Sequence, residues 1–382
     1  WVVGGAVRDC AAGLPVRDVD LAVGGDAARF ARDVTRRGGG EAKVRAPHLG
    51  TAAVLTAGGR LDLAPLRRER YAHPGAMPEV TAGASIEEDL ARRDFSVNAV
   101  AFGLAGPCAG VLADPIGGLP DLAARRLRVL HERSFEDDAT RLWRGARVAA
   151  QHRLRPDAAT AALIEDGVRW LDCIAGERLW TEFRLTAPRP YVAGAVTLLD
   201  AWGVLRGTHP AWRLAPQSRG ALGRRRRVLD AESLAALLLA PLDARDAILD
   251  RLAAPPEVRR AVEQTAALAA PPVDAAAGAP ALDWLEAHEG TSEASRRAAE
   301  GLAPPEEREA VRRRHAALAR WQRTRSPFDG DALIALGVPR GPEVGAWLRR
   351  LRRARYLGTL GSAAEARRLV RSGRRHDEAG TG

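Results

Sequence analysis

Lysine is almost missing from this chain of 382 residues: Lys43 is the only one, and the remaining 57 of its 58 cationic residues are arginine. Together with heavy alanine, glycine and proline usage, that bias is what GC-rich coding produces. Cysteine is nearly as scarce. Cys10, Cys108 and Cys173 are too far apart to form a disulfide framework or a C-x-x-C metal site, so a reducing compartment, the cytoplasm, is expected. No run approaches 18 uncharged apolar residues, which excludes a helical membrane span. No short-period repeat of the solenoid kind is present. An initiator methionine is also missing: the chain opens on Trp1, so its start is expected upstream, and a removed targeting segment is not excluded.

What is present points to a polyanion. Lys and Arg total 58 against 48 Asp and Glu, a net charge of +10, and a basic chain without a membrane signal most often meets nucleic acid. With 46% hydrophobic and 28% charged residues the composition is globular, and the length suits two to four modules. The texture changes near residue 130. Before it, 1–3, 18–23, 52–56 and 60–63 read as strands, and 27–37 reads as a helix bounded by Gly38 to Gly40. After it, nearly everything reads as helix, broken at 253–256 and at the Ala/Pro/Gly-rich stretch 270–280, the expected linker.

Asp18 and Asp20 sit two apart in an apolar run. On a strand both carboxylates project from one face, about 7 Å apart along the backbone. Two like charges on one face need a cation, and Mg²⁺ fits because it takes one or two carboxylates and fills its octahedron with phosphate oxygens and water. An exposed strand edge with solvated aspartates is the alternative for D-x-D alone. A dozen residues earlier, the Gly4-Gly5 turn leads into a helix-like segment, letting backbone N–H groups approach a phosphate, with Arg8 adding charge. Asp62, on a neighbouring strand, is a candidate third carboxylate. The block from Glu87 to Ala99 reads as one charged helix, in which Arg92 and Arg93 suit a triphosphate and Asp94 a ribose hydroxyl. In the next block Ser134 and Asp137 resemble a capping box. Capping does not account for Arg141, Arg144 and Arg147, spaced three apart on one helix side.

The order of Val3-Gly4-Gly5-Ala6-Val7-Arg8-Asp9, Asp18-Val19-Asp20, Glu88-Asp89-Leu90-Ala91-Arg92-Arg93-Asp94-Phe95 and Asp137-Asp138-Ala139-Thr140-Arg141 resembles the class II tRNA nucleotidyltransferases, or CCA-adding enzymes, and the related bacterial poly(A) polymerases. Gly176-Glu177-Arg178-Leu179-Trp180-Thr181-Glu182 is similar to the family's next helical motif. Two departures stand out: Asp137 replaces the usual Glu, and the strand before the glycine turn is clipped. The resemblance implies an α+β head of the polymerase-β-type nucleotidyltransferase kind over 1–130. An all-α remainder would follow, with a neck over 131–190 holding the nucleotide-selecting helix, a body over 191–275 and a tRNA-binding tail over 276–382. It implies catalysis by Asp18, Asp20 and Asp62, Mg²⁺ on Asp18 and Asp20, and nucleotide binding by Gly5, Arg8, Arg92, Arg93, Asp94, Asn98, Asp138, Arg141, Arg144 and Arg147.

The implied reaction is template-independent addition of CCA, from CTP and ATP, to the tRNA 3′ end. Cytosine and adenine each present an amino donor beside a ring-nitrogen acceptor, which an Asp acceptor and an Arg donor on one helix face match. The helical part would grip the acceptor and TΨC arms through phosphates, with 224–227 and 349–355 as its most basic stretches. A-only addition is the first alternative. Poly(A) synthesis is disfavoured because the segment from Pro47 to Val54 lacks a basic Gly-Arg-Arg-Phe-type element. CC-only addition is disfavoured by a full-length loop from Leu66 to Ser85. A non-catalytic RNA binder would not need the acidic pair. His376-Asp377 reads as a solvated terminus.

Overall fold

The computed structural model describes residues 1–16, 18–46, 49–57, 59–225, 228–269 and 282–379. The linker expected at 270–280, Arg226 and Arg227 of the basic stretch, Pro47 and His48, and the side chains of His376 and Asp377 lie outside the described residues. The chain separates into two compact units, residues 1–259 and 260–382.

The first unit opens with a mixed sheet of seven strands: β1 (Val2–Val3), β2 (Val19–Val23), β3 (Glu41–Ala46), β4 (Thr51–Thr56), β5 (Gly59–Pro65), then, beyond a separate β6 (Arg67–Arg70) and β7 (Glu79–Ala82) ribbon, β8 (Ala101–Phe102) and β9 (Leu112–Ala113). Its order is β3-β4-β5-β2-β1-β8-β9. β2 runs parallel to β5 and antiparallel to β1. One face is covered by α2 (Ala27–Gly38), which follows α1 (Gly5–Ala11) and buries Ala27 and Ala31 on Ala52, Val54 and Leu63. Asp26 caps α2 by accepting from Ala28 N and Arg29 N, and Gly39, at φ 76°, ends it. The other face packs Val3 and Ala22 on Ile86 and Leu90 of α3 (Ile86–Ala91).

Two expected helices differ. The block from Glu87 to Ala99 is not one helix: α3 stops at Ala91, and a 3₁₀ turn at Ser96–Asn98 follows. Asp94 accepts from Phe95 N at 2.8 Å and from the Asn98 amide at 2.9 Å, offering the backbone a turn in place of the helix. The capping box lies upstream, where Ser85 and Glu88 cap each other's backbone N–H. Ser134 does not cap: its hydroxyl accepts from Arg141 Nη1 at 2.8 Å.

After α4 (Gly118–Ala123) and β10 (Arg126–Leu127), α5 (Ser134–Asp137) and α6 (Thr140–His152) lead into helical structure. One short strand interrupts it: β11 (Arg155–Pro156), parallel to β10. The helices α7 (Ala158–Gly167), α8 (Gly176–Thr186) and α9 (Val192–Ala201) follow. Trp143, Phe183 and Trp212 lock α6 to α8, with ring centroids 6.0–6.3 Å apart. Next come α10 (Val204–Thr208), α11 (Pro216–Gly223), α12 (Ala231–Leu239) and α13 (Arg245–Arg251), and α14 (Pro256–Ala269) contains the unit boundary.

The second unit holds α15 (Leu282–Ala287), α16 (Glu293–Leu302), α17 (Arg308–Arg323), α18 (Gly330–Ala335), α19 (Pro342–Tyr356) and α20 (Ala363–Ala379). Two apolar clusters support it, one around Leu318 and Trp321 and one around Trp347 and Leu351.

Candidate active site

β2 and β5 set the acidic centre. Their parallel register places Asp20 directly beside Asp62, while Asp18 lies just before β2. Arg60 holds Asp62, its Nε donating to Oδ1 at 3.0 Å. Although Asp20 opens toward solvent, protein packed on its flanks pushes its carboxyl above the ordinary Asp range. Arg93 pulls the other way, and the charges of Asp62 and Asp18 add to the rise. A cation would relieve this repulsion. Among the described residues no group of three or more His, Cys, Asp or Glu stands ready as a metal cage. Two carboxylates completed by non-protein oxygens suit Mg²⁺ better than a metal that needs an all-protein site.

Two crevices meet at Asp20. One, about 430 Å³, is lined by Gly5, Arg8, Asp18, Asp20, Asn98, Arg144 and Arg147. The other, about 330 Å³, is lined by Asp20, Asp62, Arg92 and Arg93, with Asp89. Arg8 is fixed from both sides: Nε and Nη2 reach Asp9 Oδ1 at 2.8 and 2.7 Å, and Nη1 donates to Asn98 Oδ1. Asp9 in turn meets His152 Nε2 at 3.0 Å, so α1 is tied to α6. Burial would raise the Asp9 carboxyl, but His152 and Arg8 hold it below the ordinary range.

The two neighbouring arginines have different tasks. Arg92 is committed to structure, with Nη1 on Glu69 at 2.7 Å and Nη2 on Asp89 at 2.7 Å. Arg93 reaches Asp89 through Nη2 at 2.9 Å, yet its buried Nε has no partner. Its guanidinium lies against Gly4, where a Cβ would come within 2.8 Å of Nη1, and Gly4 holds φ 69° and ψ −128°, conformations that favour glycine. The glycine turn thus makes room for the Arg93 guanidinium at the edge of this crevice.

Asp94, Asp138 and Arg141 line neither crevice. Asp94 is buried, and both its oxygens are engaged: Oδ1 by Phe95 and Asn98, Oδ2 by Arg144 at 3.4 Å. It therefore orients Asn98 and Arg144. Arg144 and Arg147 both pair with Glu182 on α8. Asp138 and Arg141 do not share a helix. Asp138 is extended, at φ −149°, and its Oδ1 accepts from Thr140 N at 3.0 Å and Thr140 Oγ1 at 2.6 Å, so it caps the start of α6. Arg141, in the first turn of α6, is buried and donates to Ser134 and, at 3.1 Å, to the Arg92 carbonyl.

Sequence reasoning passed over Arg178. From α8 its Nη2 donates to Asp138 Oδ1 at 2.8 Å and its Nη1 to the Gly75 carbonyl at 2.9 Å, joining Asp138 to the segment between β6 and β7. That segment was expected as a loop, and its two ends pair as an antiparallel ribbon from Arg67↔Ala82 to Arg70↔Glu79. In the second unit, Arg352 and Arg353 of the 349–355 stretch are bound to Glu289, and to Asp283 and Glu286, which makes them internal ties. Arg355 instead lines a cleft of about 420 Å³ with Arg320, Arg323 and Arg325.

Residues 1–128 match the Poly A polymerase head domain family. A CC-adding tRNA nucleotidyltransferase of Deinococcus radiodurans is 33% identical over 374 residues, covering 97% of this chain and 88% of that protein. An A-adding tRNA nucleotidyltransferase of Halalkalibacterium halodurans is 42% identical over 163 residues, covering 43% of this chain and 38% of that protein. A solved apo form of a CCA-adding enzyme shares the fold at a TM-score of 0.76 with 24% identity, over 97% of this chain and 91% of that one. With a head built around a register-matched pair of aspartates, a helical remainder, and a relative aligned along nearly its whole length, this chain belongs to the class II tRNA nucleotidyltransferases, the family of the CCA-adding enzymes.

Proposed function

We propose that this enzyme adds CCA, from CTP and ATP, to the 3′ end of tRNA without a nucleic-acid template. The observation that carries the reading is the Asp20–Asp62 pairing, with Asp18 beside it and Arg93 lining the same crevice. Asp18 and Asp20 are the residues that would hold Mg²⁺. Bound there, the metal supplies charge neutralisation for the triphosphate and a lowered pKa for the RNA 3′-hydroxyl. Arg93, whose Nη2 is held by Asp89, then offers Nη1 to phosphate oxygens, and Arg8, steadied by Asp9 and Asn98, adds positive charge at the neighbouring crevice.

Asp138 and Arg141 read the base. All three bonds described for Asp138 fall on Oδ1, so Oδ2 is the oxygen for an amino group. Arg141 carries five N–H donors, and its contacts with Ser134, His131, Tyr71 and the Arg92 carbonyl use at most four. Cytosine and adenine satisfy this acceptor and donor, while uracil and guanine present the reverse pattern. Arg320, Arg323, Arg325 and Arg355 form a cleft in the second unit whose lining includes no acid, which suits RNA phosphates. Among the described residues no helix is long and apolar enough to cross a membrane, and the free thiols of Cys10, Cys108 and Cys173 suit action in the cytoplasm.

A second reading is CC-only addition, favoured by the CC-adding relative of Deinococcus radiodurans aligned over 97% of this chain. The mechanism is tested with Asp18→Ala and Asp20→Ala. Each should abolish incorporation while tRNA binding survives. Activity within about tenfold of wild type in both variants would remove the pair from the chemistry.

A further inference from the structure

A groove of about 1110 Å³, separate from the two crevices at Asp20, lies where β10, β11, α6, α9 and α11 of the first unit meet. Arg125, Arg126, Arg153, Arg155 and Arg219 line it, against one acid, Asp157. All five arginines are exposed. Among the described residues, the side chains of Arg125, Arg153 and Arg155 have no hydrogen-bond or ion-pair partner within the protein. Arg126 and Arg155 stand directly opposite each other across the β10–β11 pair, an arrangement that like charges oppose.

The backbone supplies an independent observation. Of the three described non-glycine residues with positive φ, two are arginines of this groove: Arg125 at 53° and Arg153 at 56°. Both follow helix ends, where glycine or asparagine is the easy occupant. The fold thus carries arginine twice at positions that suit glycine, and both side chains face the same groove. Strained backbone of this kind concentrates where a side chain serves a ligand.

We infer that this groove is a second binding face for RNA, taking the phosphodiester backbone without reading bases. The inference rests on the proposed tRNA substrate and adds a site to it. Three unpaired rim arginines, Arg125, Arg153 and Arg155, are flanked by Arg126 and Arg219, which pair with Asp121 and Asp200. They lie beside small apolar residues such as Ala149 and Ala193 and suit phosphates spaced along a strand, with riboses between them. The lining includes no aromatic side chain on which a base would stack. The volume also exceeds what a single nucleotide fills. A face that ignores bases suits an enzyme acting on many tRNAs.

The double variant Arg125→Gly with Arg153→Gly tests this, because it removes both charges while giving the backbone the residue that fits. Fluorescence anisotropy with a fluorescein-labelled tRNA, titrated between about 50 and 200 mM salt, should show affinity weakened at least about fivefold and a salt slope shallower by about two units. Single-turnover CTP incorporation at saturating tRNA, and the KM for CTP, should match wild type, and thermal melting should show the variant folded. Unchanged tRNA affinity and slope would overturn the inference. So would a raised KM for CTP with unchanged RNA affinity, which would make the groove a nucleotide site. If wild type itself neither binds nor extends tRNA, the proposed function fails and not the groove alone.

Discussion

Arg178 donates through Nη2 to Asp138 Oδ1 at 2.8 Å, and its other terminal nitrogen is spent on the carbonyl of Gly75. Gly75, at φ 73°, sits so close to Cys173 that a Cβ would meet the Cys173 carbonyl oxygen at 2.5 Å. One guanidinium therefore couples the β6–β7 segment to the acid proposed to read the base. Arg178→Lys keeps the charge but loses the two-pronged bridge. It should lower the ratio of CTP to UTP incorporation about 10- to 100-fold, the worth of a charged hydrogen bond. An unchanged ratio in competitive incorporation would make the bridge merely structural.

Gly4→Ala tests the room kept for Arg93. The added methyl meets Arg93 Nη1 at 2.8 Å on a backbone at φ 69°. The variant should lose about 1–3 kcal/mol in urea unfolding, and the KM for both nucleotides should rise. Wild-type KM values would show that the glycine turn does not set the position of Arg93.

The Asp20 carboxyl is raised by desolvation and by Asp62 and Asp18. A raised acid costs nothing while protonated and costs stability once pH climbs above its ordinary value of 3.8. In EDTA at pH 7, Asp20→Asn should therefore melt about 2 °C above wild type, a gap that closes toward pH 4. Added Mg²⁺ should raise the Tm of wild type more than that of the variant. A variant that melts below wild type in EDTA would contradict the repulsion.

His315, in the second unit, is pushed down to about 4 by burial; Glu300 opposes this, and Arg296, Arg314 and His288 reinforce it. Its fold-state value lies below the ordinary 6.5, so the unfolded chain binds more protons between the two values, and stability falls as pH drops through that window. His315→Leu should flatten the decline in Tm between pH 6.5 and 4.5. An identical decline in both proteins would remove His315 as its source.

The parts of this fold written in apolar alternation and turn residues were legible in the sequence. β2, β4, β5 and α2 lie where the strand and helix patterns put them, and the D-x-D pair lies at the start of β2, the middle strand of the sheet. β6 and β7 carried no such pattern, because Arg67-Arg68-Glu69-Arg70 pairs with a strand that is itself largely polar and exposed. The break after Ala91 was hidden for a different reason: Asp94 has a helix-compatible neighbourhood, and only its two side-chain bonds make the turn. Ser134 and Asp137 had the spacing of a capping box, but a buried arginine seven residues on claimed the hydroxyl. Arg178 lay in a motif that the sequence marked, but its role as a bridge was not legible, since its partners lie 40 and 103 residues away.

Timed incorporation of labelled CTP and ATP into three tRNAs, ending at the discriminator base, after C and after CC, tests the central claim most directly. The account predicts CTP addition to the first two, ATP addition to the third, and neither UTP nor GTP at comparable rates. CTP incorporation that stops at CC would establish the second reading. Incorporation of ATP alone, or of nothing, would contradict the proposed CCA addition.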